Sequence, residues 1–365
     1  MTKCSAASAG GCPIRRIPFR HALPYSIDAE IGLAKLTSWK DIVKRALAQA
    51  DAGLAAVCQW AAPRPGLLIF VFHGLFESAE EIETRHADPQ QAVTTAMFRS
   101  FVEDFAGHGY RFVSPGEAAG GLDPARRYAM ISFDDGYANN RRALSIMEEF
   151  RAPALFCISV NHVREGKPFW WDVLYREARK RGWSDDRLGR NRASLKRLRT
   201  CEAERQIIAE FGEAAFRAVS DTDRPFTSAE LAAFARHPMV HIGNHTCDHA
   251  ILTNYPLPEA FAEITRAQDL LREITGQTPL AIAYPNGNVS RLILRAVRDA
   301  GLALGLTGQP GTNSLPDVQS EKALLLKRHT LWGSRPISGQ CRIARSPVSL
   351  QAALAAIRAK AAAVA

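Results

Sequence analysis

The chain has 365 residues, 47% hydrophobic and 23% charged, with a formal net charge of +9; this is ordinary globular composition. No run approaches the ~20 apolar residues of a membrane-spanning helix, and no zinc-finger spacing, RNA-binding aromatic motif or basic zipper directs the positive charge to nucleic acid. Seven cysteines scattered from Cys4 to Cys341 do not make a disulfide framework, and residues 1–26 lack the continuous apolar core of a secretory signal, so the expected compartment is the reducing cytoplasm.

Residues 1–65 read as an N-terminal extension with one helical stretch over 29–60, closed by the linker-like run from Ala62 to Gly66. From there, short apolar runs at 67–73, 128–133, 154–160, 239–243, 280–284 and 302–307 predict strands. Amphipathic patterns at 91–106, 138–150, 258–275 and 289–300 predict helices between them. Short apolar strands alternating with helices specify an α/β fold with a parallel sheet, open or closed into a barrel.

The rhythm breaks over 165–237, where aromatic and basic sequence without strand-like runs predicts a helical insertion into a catalytic region spanning 66–340. Between Arg176 and Arg205 it carries eleven basic and five acidic residues, a net +6. Such a face is either simply solvated or meets an anionic substrate or membrane surface, and Arg179, Lys180 and Arg181 are its densest cluster. Phe169 to Asp172, "FWWD", supplies aromatic faces for stacking on sugar rings or for anchoring the insertion. Residues 341–365 form an alanine-rich tail.

Within this frame the stretch "YAMISFDDGY" raises a physical problem, because a buried strand ends on two adjacent carboxylates, Asp134 and Asp135. At ~4 Å and an effective dielectric of about 20 they repel by roughly 4 kcal/mol, which calls for a compensating cation. The segment "HIGNHTCDH" supplies partners: His245 and His249 are spaced i, i+4, so one helical turn after the strand would place both imidazoles on one side. One aspartate and these two histidines make three ligands for a zinc-like ion with a position left open. The other aspartate, turned into the same pocket by Gly136, would take a proton from the attacking water.

These residues carry a resemblance. "ISFDDGY" resembles the first motif of the nodulation-B-type polysaccharide deacetylases (carbohydrate esterase family 4), "NHTCDH" the second, His-Ser/Thr-x-x-His, and "AYPNG" at 283–287 the third, Arg-x-Pro-x-Gly. The motifs occur in family order, and the similar region covers roughly 66 to 335. The resemblance implies a distorted, partly open (β/α) barrel that hydrolyses the N-acetyl amide of an amino sugar. It makes Asp134 the general base and assigns Asp135, His245 and His249 to one divalent metal ion, expected to be zinc. Thr246 would buttress the histidine loop, and the backbone N–H of Asn286 would lie in the oxyanion hole.

Two departures stand out. The third motif's arginine, which orients the base, falls on Ala283, and the late Leu-x-His motif that supplies the general acid has no clean counterpart. His329, in "LLLKRHTLW", and His73, in "FHG", are the candidates for that acid. Cys247, between the ligands, is expected to point away from the metal, and His241 to be structural. The expected substrate is an N-acetylated amino-sugar oligosaccharide or polysaccharide, or a phosphate- or lipid-linked precursor met with peripheral membrane contact. The rival readings are a small-molecule amidase or deformylase on the same scaffold, and a saccharide-binding relative that has lost catalysis with the arginine.

Overall fold

The computed structural model describes residues 65–314 and 320–346. The helix expected over 29–60 and the tail beyond residue 346 lie outside the described residues. The strands are β1 (Gly66–Phe72), β2 (Arg111–Phe112), β3 (Arg127–Phe133), β4 (Ala154–Ile158), β5 (Val240–Asn244), β6 (Ala281–Ala283), β7 (Leu304–Leu306) and β8 (His329–Thr330). The helices are α1 (Ala79–Glu83), α2 (Thr95–Gly107), α3 (Pro115–Gly120), α4 (Leu144–Phe150), α5 (Val160–Glu165) and α6 (Trp170–Lys180). They continue with α7 (Asp185–Leu195), α8 (Thr200–Phe211), α9 (Ser228–Phe234), α10 (Leu257–Thr275), α11 (Arg291–Asp299) and α12 (Ile337–Arg345).

The strands form one parallel sheet in the order β7-β6-β5-β4-β3-β1-β8, with β2 also paired to β3. The sheet curls until its two ends nearly meet. Leu326 bridges Leu306 of β7, and a few residues on β8 pairs with Phe70 and Val71 of β1. So short a junction makes a distorted, partly open barrel. Both faces are covered, which is why the strands read as continuous apolar runs rather than as alternating ones. Leu67, Ile69, Met130, Cys157, Ala283 and Leu306 fill the interior with other buried side chains. The opposite face packs under helices: α2 buries Phe98, Phe101, Val102 and Phe105 at helical spacing, and the rings of Phe101 and Phe105 lie 4.7 and 4.8 Å from Phe70.

The predicted helix at 138–150 begins as a 3₁₀ turn over Ala138–Ala143 before continuing as α4. Its buried asparagines are occupied elsewhere. Asn139 Oδ1 accepts from Leu75 N (3.1 Å), and Asn140 Nδ2 donates to His73 O (2.7 Å), so the turn braces the loop after β1. The short elements β2, β8, α1 and α3 carry too few residues to show a period and were not anticipated.

The interval 165–237 contains no strand, as predicted, and folds as α6 to α9, with short connections between the first three and a longer one, holding a 3₁₀ turn over Glu213–Phe216, before α9. Its Trp170, Trp171, Leu174, Trp183, Leu195 and Ile207 belong to a cluster of their own that also takes in Tyr137. Phe226 N donates to Gly136 O (3.0 Å) and Ala138 N to Arg224 O (3.1 Å), which ties the insertion to the turn after Asp135. Among the described residues no helix is long and apolar enough to cross a membrane. The described cysteines, Cys157, Cys201, Cys247 and Cys341, are free.

Candidate active site

Parallel strands bring all their C-terminal ends to one rim, where βα barrels build their sites. The ladder sets the register: Phe72 pairs with Phe133, so His73 and Asp134 leave neighbouring strands side by side, and Asp134 N donates to Phe72 O (2.9 Å). Two strands over, Ile158 pairs with Asn244, and Asn244 pairs with Ile282, which sets the histidine loop beside the end of β6. A cavity of about 470 Å³ opens at this rim, within the roughly 300–1,000 Å³ usual for small-molecule sites.

Asp135 stands at φ 77° and Gly136 at φ 98°. A Cβ on Gly136 would meet the Ile158 side chain at 3.2 Å, so glycine is required there. The left-handed pair of residues turns Asp135 across the rim towards the histidines, a strain that only surrounding structure maintains. Asp135 Oδ1 lies 3.3 Å from His245 Nε2 and 3.4 Å from His249 Nε2. The three ligand atoms all fall within 4.8 Å of one another.

The predicted helical turn is not what joins the histidines. Residues 245–249 form a loop with positive φ at Thr246 (66°) and His249 (51°). Side-chain bonds impose this path: Thr246 N donates to Asn244 Oδ1 (2.7 Å), and Ala250 N donates to Thr246 Oγ1 (2.8 Å). Cys247 is buried in the core, where burial pushes its thiol up to about 12, and it offers no thiolate. His241 is half-buried on β5 and does not line the cavity.

The residues present fit a metal ion. His245 Nδ1 lies 2.8 Å from Ala283 O and must donate to it, which leaves Nε2 bare. Burial holds the His249 imidazole down at about 3, so it is neutral and offers a lone pair. Burial lowers His245 as well, but Asp134 and Asp135 outweigh it and hold that ring above its ordinary value, favouring positive charge at its Nε2. Asp135 Oδ1 is buried with no hydrogen-bond partner. Burial would raise the Asp135 carboxyl, yet the contacts with His245, His73 and His249 outweigh it and hold the group below its ordinary value. Three lone pairs aimed at one point repel unless a cation lies among them, and two imidazole nitrogens with one carboxylate oxygen match a zinc donor set.

Asp134 is held differently. Arg328 grips it in a two-pronged fork, Nη1 to Oδ1 and Nη2 to Oδ2, both at 2.8 Å, with both residues buried. The guanidinium is itself fixed by Nε donating to Thr307 O (2.9 Å) and Nη1 to Ser132 Oγ (3.2 Å). Burial raises the Asp134 carboxyl, but the Arg328 charge and hydrogen bonds outweigh it, so the group is ionised below its usual range. Sequence reasoning missed Arg328. The available signal was a charged residue closing the apolar run "ALLLKR", since a buried arginine is rare unless paired.

Of the two candidate acids, the structure brings His73 into the cavity and leaves His329 outside it, stacked on Phe70 at 5.5 Å. His73 Nδ1 donates to Gln91 Oε1 (2.8 Å). Gln91 is oriented for this because its Nε2 donates to Val71 O (2.7 Å) and Leu331 O (3.2 Å). The second nitrogen, Nε2, is the one left for chemistry. Asn286 lines the cavity at φ 58°, in the turn Pro285–Gly287.

The insertion forms one wall. Trp171 packs on the His249 ring at 4.5 Å and donates from Nε1 to Tyr137 Oη (2.9 Å). Tyr137 in turn donates to the buried Asp172 Oδ2 (2.8 Å). Gln90 Nε2 joins Tyr137 Oη (3.3 Å) to Asp135 Oδ2 (3.4 Å). The "FWWD" segment therefore supports the histidine ligand and lies mostly buried, whereas the exposed aromatic at the cavity mouth is Trp332. The cluster Arg179, Lys180 and Arg181 does not line the cavity. Its members pair with Asp185, Glu177 and Glu210 at 2.6, 2.8 and 2.9 Å. The basic residues of the insertion that do line it are Arg192 and Lys196.

Comparison with known proteins adds family and fold. The family model "Polysaccharide deacetylase" matches residues 121–305. No curated protein matches the chain. Among solved structures, IcaB from Ammonifex degensii is 16% identical with a TM-score of 0.52, covering 78% of this chain and 99% of that one. The deacetylase PplD of Streptococcus pyogenes, solved in complex with acetate, is 18% identical with a TM-score of 0.50, covering 75% and 96%. The polysaccharide deacetylase BC0361 from Bacillus cereus is 15% identical with a TM-score of 0.52, covering 76% and 69%.

Proposed function

The chain belongs to the polysaccharide deacetylase family, and from that premise we propose that it is a metal-dependent hydrolase removing the N-acetyl group of an amino sugar. The sugar is part of an oligosaccharide, a polysaccharide or a carrier-linked precursor. The observation that carries this reading is the pairing of two opposed devices in one cavity: a cluster of three bare ligand atoms, and beside it a carboxylate clamped in its ionised state.

Asp135, His245 and His249 would hold the ion, with zinc as the expected metal. When bound, such a cation polarises the acyl oxygen and lowers the pKa of water at the site. Asp134 takes the proton of the attacking water, and Arg328 keeps that carboxylate ionised and aimed. The Asn286 N–H donates to the oxyanion as the tetrahedral centre forms. His73, its Nδ1 engaged by Gln91, delivers a proton from Nε2 to the leaving amine.

Elemental analysis tests the ligand set. The wild type is expected to purify with about one divalent ion per chain, and His245→Ala, His249→Ala and Asp135→Asn are each expected to lose most of it while remaining folded. Undiminished metal in all three variants refutes the site.

A further inference from the structure

Among the described residues, the charges facing the cavity are each matched by an ion pair or the ligand cluster, with one exception. Asp134 is matched by Arg328, Asp88 by Arg192, and Asp135 belongs to the ligand cluster. Lys196, at the C-terminal end of α7, lines the same cavity and is exposed at its mouth, and no carboxylate pairs with it among the described residues. Its Nζ donates instead to the neutral Asn286 Oδ1 (2.8 Å). Partial desolvation on the cavity side and the neighbouring Arg192 lower its pKa, against the pull of Asp88 and Asp135. Arg192 donates towards Asp88 from one Nη, and its buried Nε has no acceptor.

We propose that Lys196, with Arg192 behind it, forms a subsite for an anionic group, a phosphate or a carboxylate, carried on or next to the N-acetylated sugar. The location follows from Asn286, which joins Lys196 Nζ through its side chain while its backbone belongs to the acyl site. An anion at Lys196 therefore sits beside the reacting amide, either on the same sugar or on its neighbour. The insertion thus sets specificity through two residues facing the cavity and not through its surface cluster. Charge-assisted hydrogen bonds of this kind are stronger than neutral ones and are lost wholly when the ammonium is removed.

The proposal rests on the deacetylase reading, and its test separates the two. Steady-state kcat/KM is measured for N-acetylglucosamine 1-phosphate, N-acetylmuramic acid and the neutral methyl N-acetylglucosaminide. The proteins are the wild type, Lys196→Met, Lys196→Arg and, as a control outside the cavity, Lys180→Met. The ratio of anionic to neutral substrate is expected to fall about tenfold in Lys196→Met and to persist in Lys196→Arg and Lys180→Met. The gap is expected to narrow above about 0.1 M ionic strength, where screening acts over about 10 Å. Whichever anionic sugar shows the larger drop identifies phosphate or carboxylate. An unchanged ratio in Lys196→Met, or an equal loss on all three sugars, overturns the subsite. If none of the sugars is hydrolysed, the deacetylase reading fails on these substrates. Calorimetric binding of N-acetylglucosamine 1-phosphate, expected about tenfold weaker in Lys196→Met, then decides the subsite alone.

Discussion

Asp134→Asn is expected to purify with its full complement of divalent metal and to lose about 10²–10⁴ in kcat, the usual range for removal of a general base. The carboxylate is 3% exposed and makes no part of the ligand cluster, so its amide should leave metal binding intact. What it cannot do is accept the proton of the attacking water. The amide also turns one prong of the Arg328 fork from acceptor to donor, so some loss of stability accompanies the change. Asp135→Asn is expected to fail in the opposite order, losing metal first, because its Oδ1 faces both imidazoles. Elemental analysis together with kinetics at saturating metal separates the two. A fully active Asp134→Asn would end the assignment of this residue as the base.

The adjacent aspartates were legible because strand, charge and glycine coincide in "ISFDDGY", and the physical conflict they pose has few resolutions. The histidine pair was legible for an imperfect reason. Spacing suggested a helical turn, whereas a loop with left-handed Thr246 and His249, pinned by the Asn244 and Thr246 side chains, brings the rings together. A single sequence carries no periodic signal for such a loop. The strands were read to within two residues at most ends, since burial on both faces leaves unbroken apolar runs. Gln91, Tyr137, Asp172 and Arg192 were not readable as site residues, because their roles depend on contacts between segments distant in the chain. The basic insertion was correctly seen as helical, but charge density alone pointed to Arg179, Lys180 and Arg181, which the fold directs to acidic neighbours.

Arg328 carries the second large expectation. The resemblance places a base-orienting arginine at position 283, where this chain has alanine. Ala283 is fully buried in the barrel interior, in the same cluster as Leu326. Arg328, two residues beyond Leu326, enters that interior and reaches Asp134 from the segment that joins β7 to β1. A small residue at 283 and an arginine at 328 are thus one solution to one requirement: an ionised carboxylate in a dry site needs a fixed cation. Arg328→Ala leaves Asp134 buried and unpaired, which costs ~3–5 kcal/mol and favours its protonation. The variant is expected to bind metal, to unfold at lower temperature, and to lose at least about 10² in kcat. Arg328→Lys is expected to restore charge and stability more than turnover, because a single ammonium cannot reproduce the fork. Millimolar guanidinium is expected to raise the activity of Arg328→Ala, since the missing group lines the open cavity, and to leave Asp134→Asn unchanged. Full activity in Arg328→Ala without added guanidinium would show that Asp134 needs no partner and that the alanine at 283 is not compensated from position 328.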